Sequence, residues 1–283
     1  MGGLGSGTPV VDSGTWTGWA PMPSHYCIGT SGWVYKHWRG RFYPPDLPAS
    51  RWFEFFSRQF GTVELNNSFY RLPAEETWRK WRKAAPRGFV FAVKASRFIT
   101  HIKRLKNCEE PLDTFLGRAR LLGDALGPVL YQLPPNFHYK PENVERLTDF
   151  LSLLPQDIRH VFEFRHDSWF NADVFSLLRI HNAGFCAFHM AGWETPLEAT
   201  TDFAYVRFHG ADSVYGGCYS DGDLAVWAGR LRDLPEDVRD VYVYFNNDAE
   251  AYAVANAKTL IEFIMPFALK EDLEEEEDAA AEG

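Results

Sequence analysis

The stretch V-F-E-F-R-H-D-S-W, residues 161–169, begins like a buried strand but places a carboxylate, Glu163, and a guanidinium, Arg165, at alternate positions. Side chains two residues apart in a strand share a face, so Glu163 and Arg165 lie opposite Phe162 and Phe164. Such a pair is either a structural ion pair or part of a site that binds an anion and moves a proton. This stretch alone leaves both interpretations open.

The same alternation recurs along the chain, where short apolar runs carry a polar side chain on one face near their C-terminal ends. The polar residues in these runs are Glu64, Asn66, Lys94, Gln132, Glu163, Arg165, His189, Arg207, His209 and Asn246. Trp33, just after the first run, and Asp248, just after the last, are added to this set. Any one of them alone is most simply a satisfied buried polar group. Filling one end of a fold with the whole set for structure alone would incur repeated desolvation costs, so the set indicates a functional site.

The charges in this set favour an anionic ligand. Lys94, Arg165 and Arg207 outnumber the two glutamates, so a phosphate, a carboxylate or a phosphodiester is expected. We expect these three cations to bind the ligand. The remaining substrate-binding candidates are Asn66, Gln132, Asn246, Asp248 and Trp33.

Acid/base chemistry is the expected reaction type, and the chain is expected to be an enzyme. Glu64 or Glu163 would be the general base, and His189 or His209 the proton donor. Two carboxylates facing each other also fit glycoside hydrolysis, so a hydrolase is one candidate class.

No metal and no nucleotide cofactor is predicted. Two glutamates, two histidines and Asp248 are enough ligands for one divalent ion, but Lys94, Arg165 and Arg207 would repel it. No H-E-x-x-H spacing is present, and the first strand lacks the G-x-G-x-x-G turn of a dinucleotide-binding fold. A divalent metal remains a minority alternative.

Eight β-rich runs alternate with amphipathic helical patterns and would position these residues. The predicted strands are 26–30, 62–66, 89–94, 128–132, 160–165, 185–189, 203–209 and 240–246. Eight strands with helices between them predict a single-domain α/β fold, a (β/α)8 barrel of the TIM type, in which the C-terminal ends of the strands gather at one face. The sixth connection, A-G-W-E-T-P-L-E-A-T-T-D, is too short and broken for a regular helix.

Seven motifs carry a resemblance to a known family. I-G-T-S-G-W, V-E-L-N-N-S-F-Y, F-V-F-A-V-K-A-S, Y-Q-L-P, F-E-F-R-H-D-S-W, Y-V-R-F-H-G and Y-F-N-N-D occur in this order. Together they resemble the YecE-like family, known as domain of unknown function 72, over residues 26–265. The resemblance implies a TIM-type barrel but no reaction. Endonuclease IV has a barrel of similar shape, which gives a metal-dependent phosphodiesterase as an alternative by fold analogy only.

Composition and charge divide the 283 residues into three parts. Residues 1–24 are expected to be a flexible leader, 25–268 the barrel, and 269–283 an acidic disordered tail. The tail stretch 271–283 holds 8 of the 38 acids, so the remaining 30 acids and 29 Lys plus Arg leave the body near -1 rather than -9. Four cysteines without C-x-x-C spacing and the lack of a signal peptide predict a reduced, cytoplasmic protein. No apolar run is long enough to span a membrane.

Two other functions stay open. Residues 96–107, S-R-F-I-T-H-I-K-R-L-K-N, concentrate basic side chains around Phe98 and could contact nucleic acid. A non-catalytic scaffold is the other alternative. The substrate and the oligomeric state do not follow from the sequence.

Overall fold

A computed structural model describes residues 26–213 and 215–265 of the chain. The predicted leader, 1–24, and the predicted acidic tail, 269–283, lie outside the described residues.

Eight parallel strands form a closed barrel, as predicted. They are β1 (Tyr26–Thr30), β2 (Thr62–Leu65), β3 (Val90–Lys94), β4 (Leu126–Gln132), β5 (His160–Glu163), β6 (Ala183–Met190), β7 (Phe203–Phe208) and β8 (Asp240–Phe245). Each strand pairs with its neighbour in the chain, and β8 pairs with β1 to close the ring. Every strand boundary lies within two residues of the predicted one.

Helices connect the strands and cover the outside of the barrel. They are α1 (Trp52–Phe56), α2 (Asn67–Tyr70), α3 (Glu75–Ala84), α4 (Glu109–Ala119), α5 (Pro141–Ser152), α6 (Ala172–Ile180), α7 (Asp221–Arg232) and α8 (residues 252–265). Local sequence sets several of these ends. In α7 the Ser220 side chain accepts from the Asp223 amide while the Asp223 carboxylate accepts from the Ser220 amide, which satisfies two otherwise unpaired donors. None of the helices in the described residues is long and apolar enough to cross a bilayer.

The sixth connection has no helix, as predicted. Ala191 and Gly192 turn the chain with positive φ angles, and a short strand, Trp193–Glu194, returns antiparallel to β6. This return places Trp193 against Phe188, the penultimate inward residue of β6. The tip of β6 is therefore covered by its own connection rather than by a helix.

Strand parity separates two cores. Outward side chains such as Phe162, Phe208 and Phe245 pack under the helices, and inward ones fill the barrel. The inward cluster consists of Ala92, Leu130, Val161, Cys186, Phe203, Tyr205, Tyr242 and Tyr244. At the N-terminal end of the barrel, Arg159 donates to the Asp240 carboxylate at 2.6 Å and to the Tyr242 hydroxyl at 2.8 Å. The opposite end, where the strands finish, is the barrel mouth and is built from polar residues.

Candidate functional site

A buried arginine joins two strands across the barrel interior. Arg207, on β7, donates from Nη2 to Glu64 Oε1 at 2.7 Å and from Nη1 to Glu163 Oε2 at 2.5 Å. All three side chains have no exposed surface. Bonds from one guanidinium to two carboxylates offset part of the cost of burying the three charges, and they fix β2, β5 and β7 relative to one another.

Glu64 has both oxygens engaged. Besides Arg207, its Oε1 accepts from the Ser31 hydroxyl at 2.9 Å, and its Oε2 accepts from the Tyr205 hydroxyl at 2.7 Å. Glu64 is therefore held by three donors from β7 and from the end of β1.

Glu163 is also held as a carboxylate. Its Oε1 forms an ion pair with Arg165 Nε, and its Oε2 bonds to Arg207. Burial alone would raise the pKa of Glu163, but the guanidinium groups of Arg165 and Arg207 outweigh burial and hold the pKa well below its usual range. The structure thus places both predicted general bases, Glu64 and Glu163, in bonds with Arg207, and their role as a base stays a prediction.

His209 is buried as a neutral ring. Its Nε2 lies 2.7 Å from Arg165 Nη2 and therefore accepts, because a guanidinium only donates. Its Nδ1 lies 3.1 Å from the carboxamide of Asn246, which can take the remaining ring proton when its oxygen faces the ring. Burial and the neighbouring Arg165 and Arg207 lower the pKa of His209 well below its usual range. An imidazolium proton donor is thus not what this environment supports.

His189 does not face the barrel, contrary to the prediction that it lies at the site. It pairs in register with Phe208, an outward residue, and its Nδ1 contacts the Tyr219 hydroxyl at 3.0 Å. The inward residue at this level of β6 is Phe188. Arg165 Cζ lies over the Phe188 ring, 4.6 Å from the ring centroid. Counting parity from Cys186 along β6 gives this assignment, since residues 186 and 188 share a face.

A cleft of about 400 Å³ opens at the barrel mouth above the ion network. Five predicted residues line it: Trp33, Asn66, Lys94, Asn246 and Asp248. Sequence reasoning missed the rest of the lining, which includes Ser31, Tyr35, Asn67, Phe69, Tyr70 and Tyr215. Glu64, Glu163, Arg207 and His209 have no exposed surface and lie inside the barrel rather than in the cleft. Gln132 is half-buried and pairs in register with Glu163.

Lys94 is the cation of this cleft. Its Nζ stands 4.3 Å from the centroid of the Phe69 ring, and the Ser68 hydroxyl holds its carbonyl oxygen at 2.7 Å. Among the described residues no carboxylate is within ion-pair distance of Nζ, since the arginines hold both nearby glutamates. Burial, and next the charge of Arg207, lower the pKa of Lys94 to about 7. Lys94 therefore exists near neutral pH both as amine and as ammonium.

Asp248 and Asn66 add polar groups to the same cleft. The Asp248 carbonyl accepts from Trp38 Nε1 at 2.8 Å, which fixes the backbone just past β8. The Asp248 carboxylate lies 3.4 Å from His37 Nε2, and burial raises the pKa of this carboxyl group. The amide oxygen Oδ1 of Asn66 is buried and accepts from none of the described residues. An acceptor of this kind at a cleft is available to a ligand donor.

No group of three or more His, Cys, Asp or Glu side chains is placed to hold a metal ion within 26–213 and 215–265. The carboxylates of the barrel interior are bonded to guanidinium groups. All four cysteines, at 27, 108, 186 and 218, are free thiols.

The rim of the mouth carries the basic segment 96–107. Arg97, Phe98, Ile102 and Lys106 are exposed, with Phe98 at 45% and Ile102 at 60% of their full surface. Lys103 Nζ lies over the Phe98 ring at 5.8 Å. Cations next to an exposed aromatic ring form a surface on which a nucleic-acid base could stack.

Comparisons with known proteins give a family and a fold. The model of a family described as "Protein of unknown function DUF72" matches residues 27–277. The UPF0759 protein YunF of Bacillus subtilis is 30% identical over 270 residues, which cover 84% of this chain and 94% of YunF. The UPF0759 protein YecE of Escherichia coli is 32% identical over 117 residues, or 41% of this chain and 42% of YecE.

Two solved structures share the architecture. A DUF72 family protein from Thermotoga maritima superposes with a TM-score of 0.78 at 28% identity, covering 85% of this chain and 99% of that protein. A DUF72 family protein from Enterococcus faecalis has a TM-score of 0.72 at 19% identity, covering 84% of this chain and 95% of that protein. At this identity the similarity is evidence for the fold only. None of these descriptions states a reaction or a ligand.

Proposed function

Because the chain belongs to the DUF72 family, whose description states no reaction, we propose its function from the cleft: an enzyme that performs acid/base chemistry on a small substrate bearing a carboxylate or a phosphate. The observation that carries this proposal is Lys94, a cleft-lining amine without a carboxylate partner among the described residues. An anion placed beside Nζ would supply the missing counter-charge.

The charges buried beneath the cleft, those of Arg165, Arg207, Glu64 and Glu163, also support the proposal. Arg165 and Arg207 bring two positive charges that balance Glu64 and Glu163, so these glutamates leave the protonated amine of Lys94 without a counter-charge. The Asp248 carboxylate, which also lines the cleft, lies 3.4 Å from His37 Nε2. His209 contributes no charge, because its pKa is lowered by burial and the two arginines. A single cation in a cleft of this size fits a small anion better than a polyanion.

Lys94 is then the group that exchanges a proton with the substrate. The ideal acid/base group has a pKa near the working pH, and Lys94 meets this condition. This assignment replaces the glutamates and histidines expected from the sequence, since Glu64 and Glu163 are held by donors and His189 faces the helices. Asn66, Asn246 and Trp33 would orient the substrate around this amine.

Isothermal titration calorimetry with L-lactate and with inorganic phosphate tests the proposal. Binding of L-lactate, which does not itself titrate near neutral pH, should raise the pKa of Lys94 from about 7, so at pH 7.5 the complex should take up part of a proton. Repeating the titration in buffers of different ionisation enthalpy measures this uptake.

Matched variants identify the group that titrates. Lys94→Met should lose both binding and uptake. Lys258→Met is the control, because Lys258 is another partly buried lysine near a ring, 5.8 Å from Phe42, and bonds to Gln59 outside the cleft. Binding without proton uptake, or equal uptake in the Lys94→Met protein, contradicts the proposal.

A second candidate is nucleic-acid binding at the basic segment 96–107, favoured by the exposed Phe98 beside Lys103. A single-stranded oligonucleotide should bind with an affinity that falls as salt increases, and Phe98→Ala with Arg97→Ala should weaken it. Exposed Arg58 on another face supplies the control, Arg58→Ala. If low salt gives no binding, this candidate is removed. A chain that binds neither anions nor nucleic acid fits the scaffold alternative.

A further inference from the structure

We propose that Lys94 forms an imine with the carbonyl carbon of a small substrate that carries a carboxylate or a phosphate group. The inference rests on the proposed function, because it places the same amine and the same anion in one cleft. It adds a substrate class, a ketone or aldehyde, and a covalent intermediate.

The first support is the position of the amine. Lys94 ends β3 at the barrel mouth, so its chain begins on a rigid strand while its Nζ reaches the cleft. The Ser68 bond to the Lys94 carbonyl fixes the backbone, and the Phe69 ring covers one side of the ammonium. A reactive group on a rigid element approaches a bound substrate in one defined direction.

The second support is the distribution of counter-charges. Arg207 bonds both nearby glutamates, and Arg165 pairs with Glu163, so the two carboxylates that could keep Lys94 protonated are already engaged. The arginines add positive charge beneath it. Burial, and next the charge of Arg207, outweigh the two glutamates and lower the pKa of Lys94, which favours the neutral amine, the form with a free electron pair that attacks carbonyl carbon.

The third support comes from the rest of the lining. Amide groups of Asn66, Asn67 and Asn246 line the cleft and can donate to an anionic group at a distance from Nζ. The aromatic rings of Trp33 and Phe69 form an apolar part of the lining. A small oxo acid, or a phosphate ester that carries a ketone or aldehyde, could therefore bind the polar groups through its anion and place its carbonyl carbon beside the Lys94 amine.

The covalent step balances without a further reagent. The Nζ electron pair bonds to the carbonyl carbon, and the carbonyl π pair moves to oxygen, which takes up a proton. Nitrogen loses one proton, and the hydroxyl oxygen takes up a second proton. Water then leaves with the C–O electron pair while the nitrogen electron pair forms the C=N bond, and nitrogen releases its other proton. Asp248 lines the same cleft, and we assign the exchange of these protons to its carboxyl group, whose pKa burial raises.

Reductive trapping tests the imine. The full chain is incubated at pH 7.5 with pyruvate or with dihydroxyacetone phosphate in the presence of cyanoborohydride, and modified lysines are mapped by peptide mass spectrometry. Lys94 should be modified at least about tenfold faster than Lys258 or surface lysines, since its neutral fraction far exceeds that of an ordinary lysine. The two probes distinguish a carboxylate site from a phosphate site.

Non-carbonyl analogues separate failure of the imine from failure of the anion site. L-lactate and glycerol 3-phosphate match the two probes in charge but form no imine, so they should protect Lys94 from trapping. Lys94→Arg keeps a cation and should retain some anion binding while losing the adduct.

If lactate binds with proton uptake but neither probe modifies Lys94 above the surface lysines, the imine is refuted and the anion site stands. If nothing binds and nothing is trapped, both proposals fail. Because the adduct is mapped on the unaltered chain, the result does not depend on whether a variant folds.

Discussion

Arg207 Nη1 and Glu163 Oε2 lie 2.5 Å apart inside the barrel, and neither side chain has any exposed surface. This bond joins β7 to β5, and the second arm of the same guanidinium reaches Glu64 on β2. Three strands that are not neighbours in the sheet thus meet at one buried charge. Arg207 is thus the shared counter-ion of both glutamates.

Removing Arg207 should therefore destabilise the fold strongly. Arg207→Met leaves two carboxylates buried without their common partner, and breaking a buried ion pair in this way costs about 3–5 kcal/mol. Urea unfolding at pH 7 measures the loss. The control Arg230→Met removes an exposed pair with Glu194, for which less than about 1 kcal/mol is expected. Similar losses for both variants would contradict the network.

Glu163→Gln should change how stability depends on acid. The folded pKa of Glu163 lies below that of the unfolded chain, so the stabilisation is complete above about pH 4.5 and is lost as the pH falls through the folded pKa. The variant lacks this carboxylate, so the stability difference between wild type and Glu163→Gln should shrink below pH 4.5. A difference that stays constant from pH 7 to pH 3 would refute a depressed pKa.

Lys94→Met should show a trend of the same sign in a higher pH range. The folded pKa of Lys94 is about 7 and an unfolded lysine titrates near 10.4, so between these values the unfolded chain binds more protons. Wild-type stability relative to Lys94→Met should thus be lowest below pH 7 and rise by up to roughly 1.4 kcal/mol per pH unit above it. Chemical unfolding from pH 6 to pH 9 compares the two proteins. Parallel curves would place the pKa of Lys94 near its ordinary value.

The two histidines predicted at the site should differ in their effect on the cleft. His209→Ala removes the acceptor of Arg165 Nη2 and the partner of Asn246, so anion binding in the cleft should weaken. His189→Ala removes a contact to Tyr219 on the outer face, so lactate binding should stay within about twofold of wild type. Calorimetry on both variants decides the matter. An equal loss in His189→Ala would place His189 at the site after all.

The sequence predicted the barrel because eight short apolar runs and the helical patterns between them are local signals. Parity also predicted that Glu64, Glu163 and Arg207 point inward. It could not show that Arg207 bonds both glutamates, because β2, β5 and β7 are not adjacent and their contact depends on how the barrel closes. The loop residues Tyr35, Tyr70 and Tyr215 follow no strand period, so nothing local assigned them to the cleft.

The charge count predicted an anionic ligand, and residue type alone suggested glutamates and histidines for the acid/base roles. Carboxylates and histidines are the usual acid/base groups, and only the three-dimensional contacts show that guanidinium groups occupy them here. Lys94 was expected to hold an anion by its charge. Its burial and its missing carboxylate partner, which the sequence does not display, make it the group that titrates near neutral pH.

The most direct test of this account is the pKa of Lys94 itself, followed by NMR of the labelled side-chain amine and assigned by comparison with Lys94→Met. The account predicts a pKa of about 7 in the free protein and a rise when L-lactate or phosphate is added. A pKa near 10.4 that neither anion moves would contradict it.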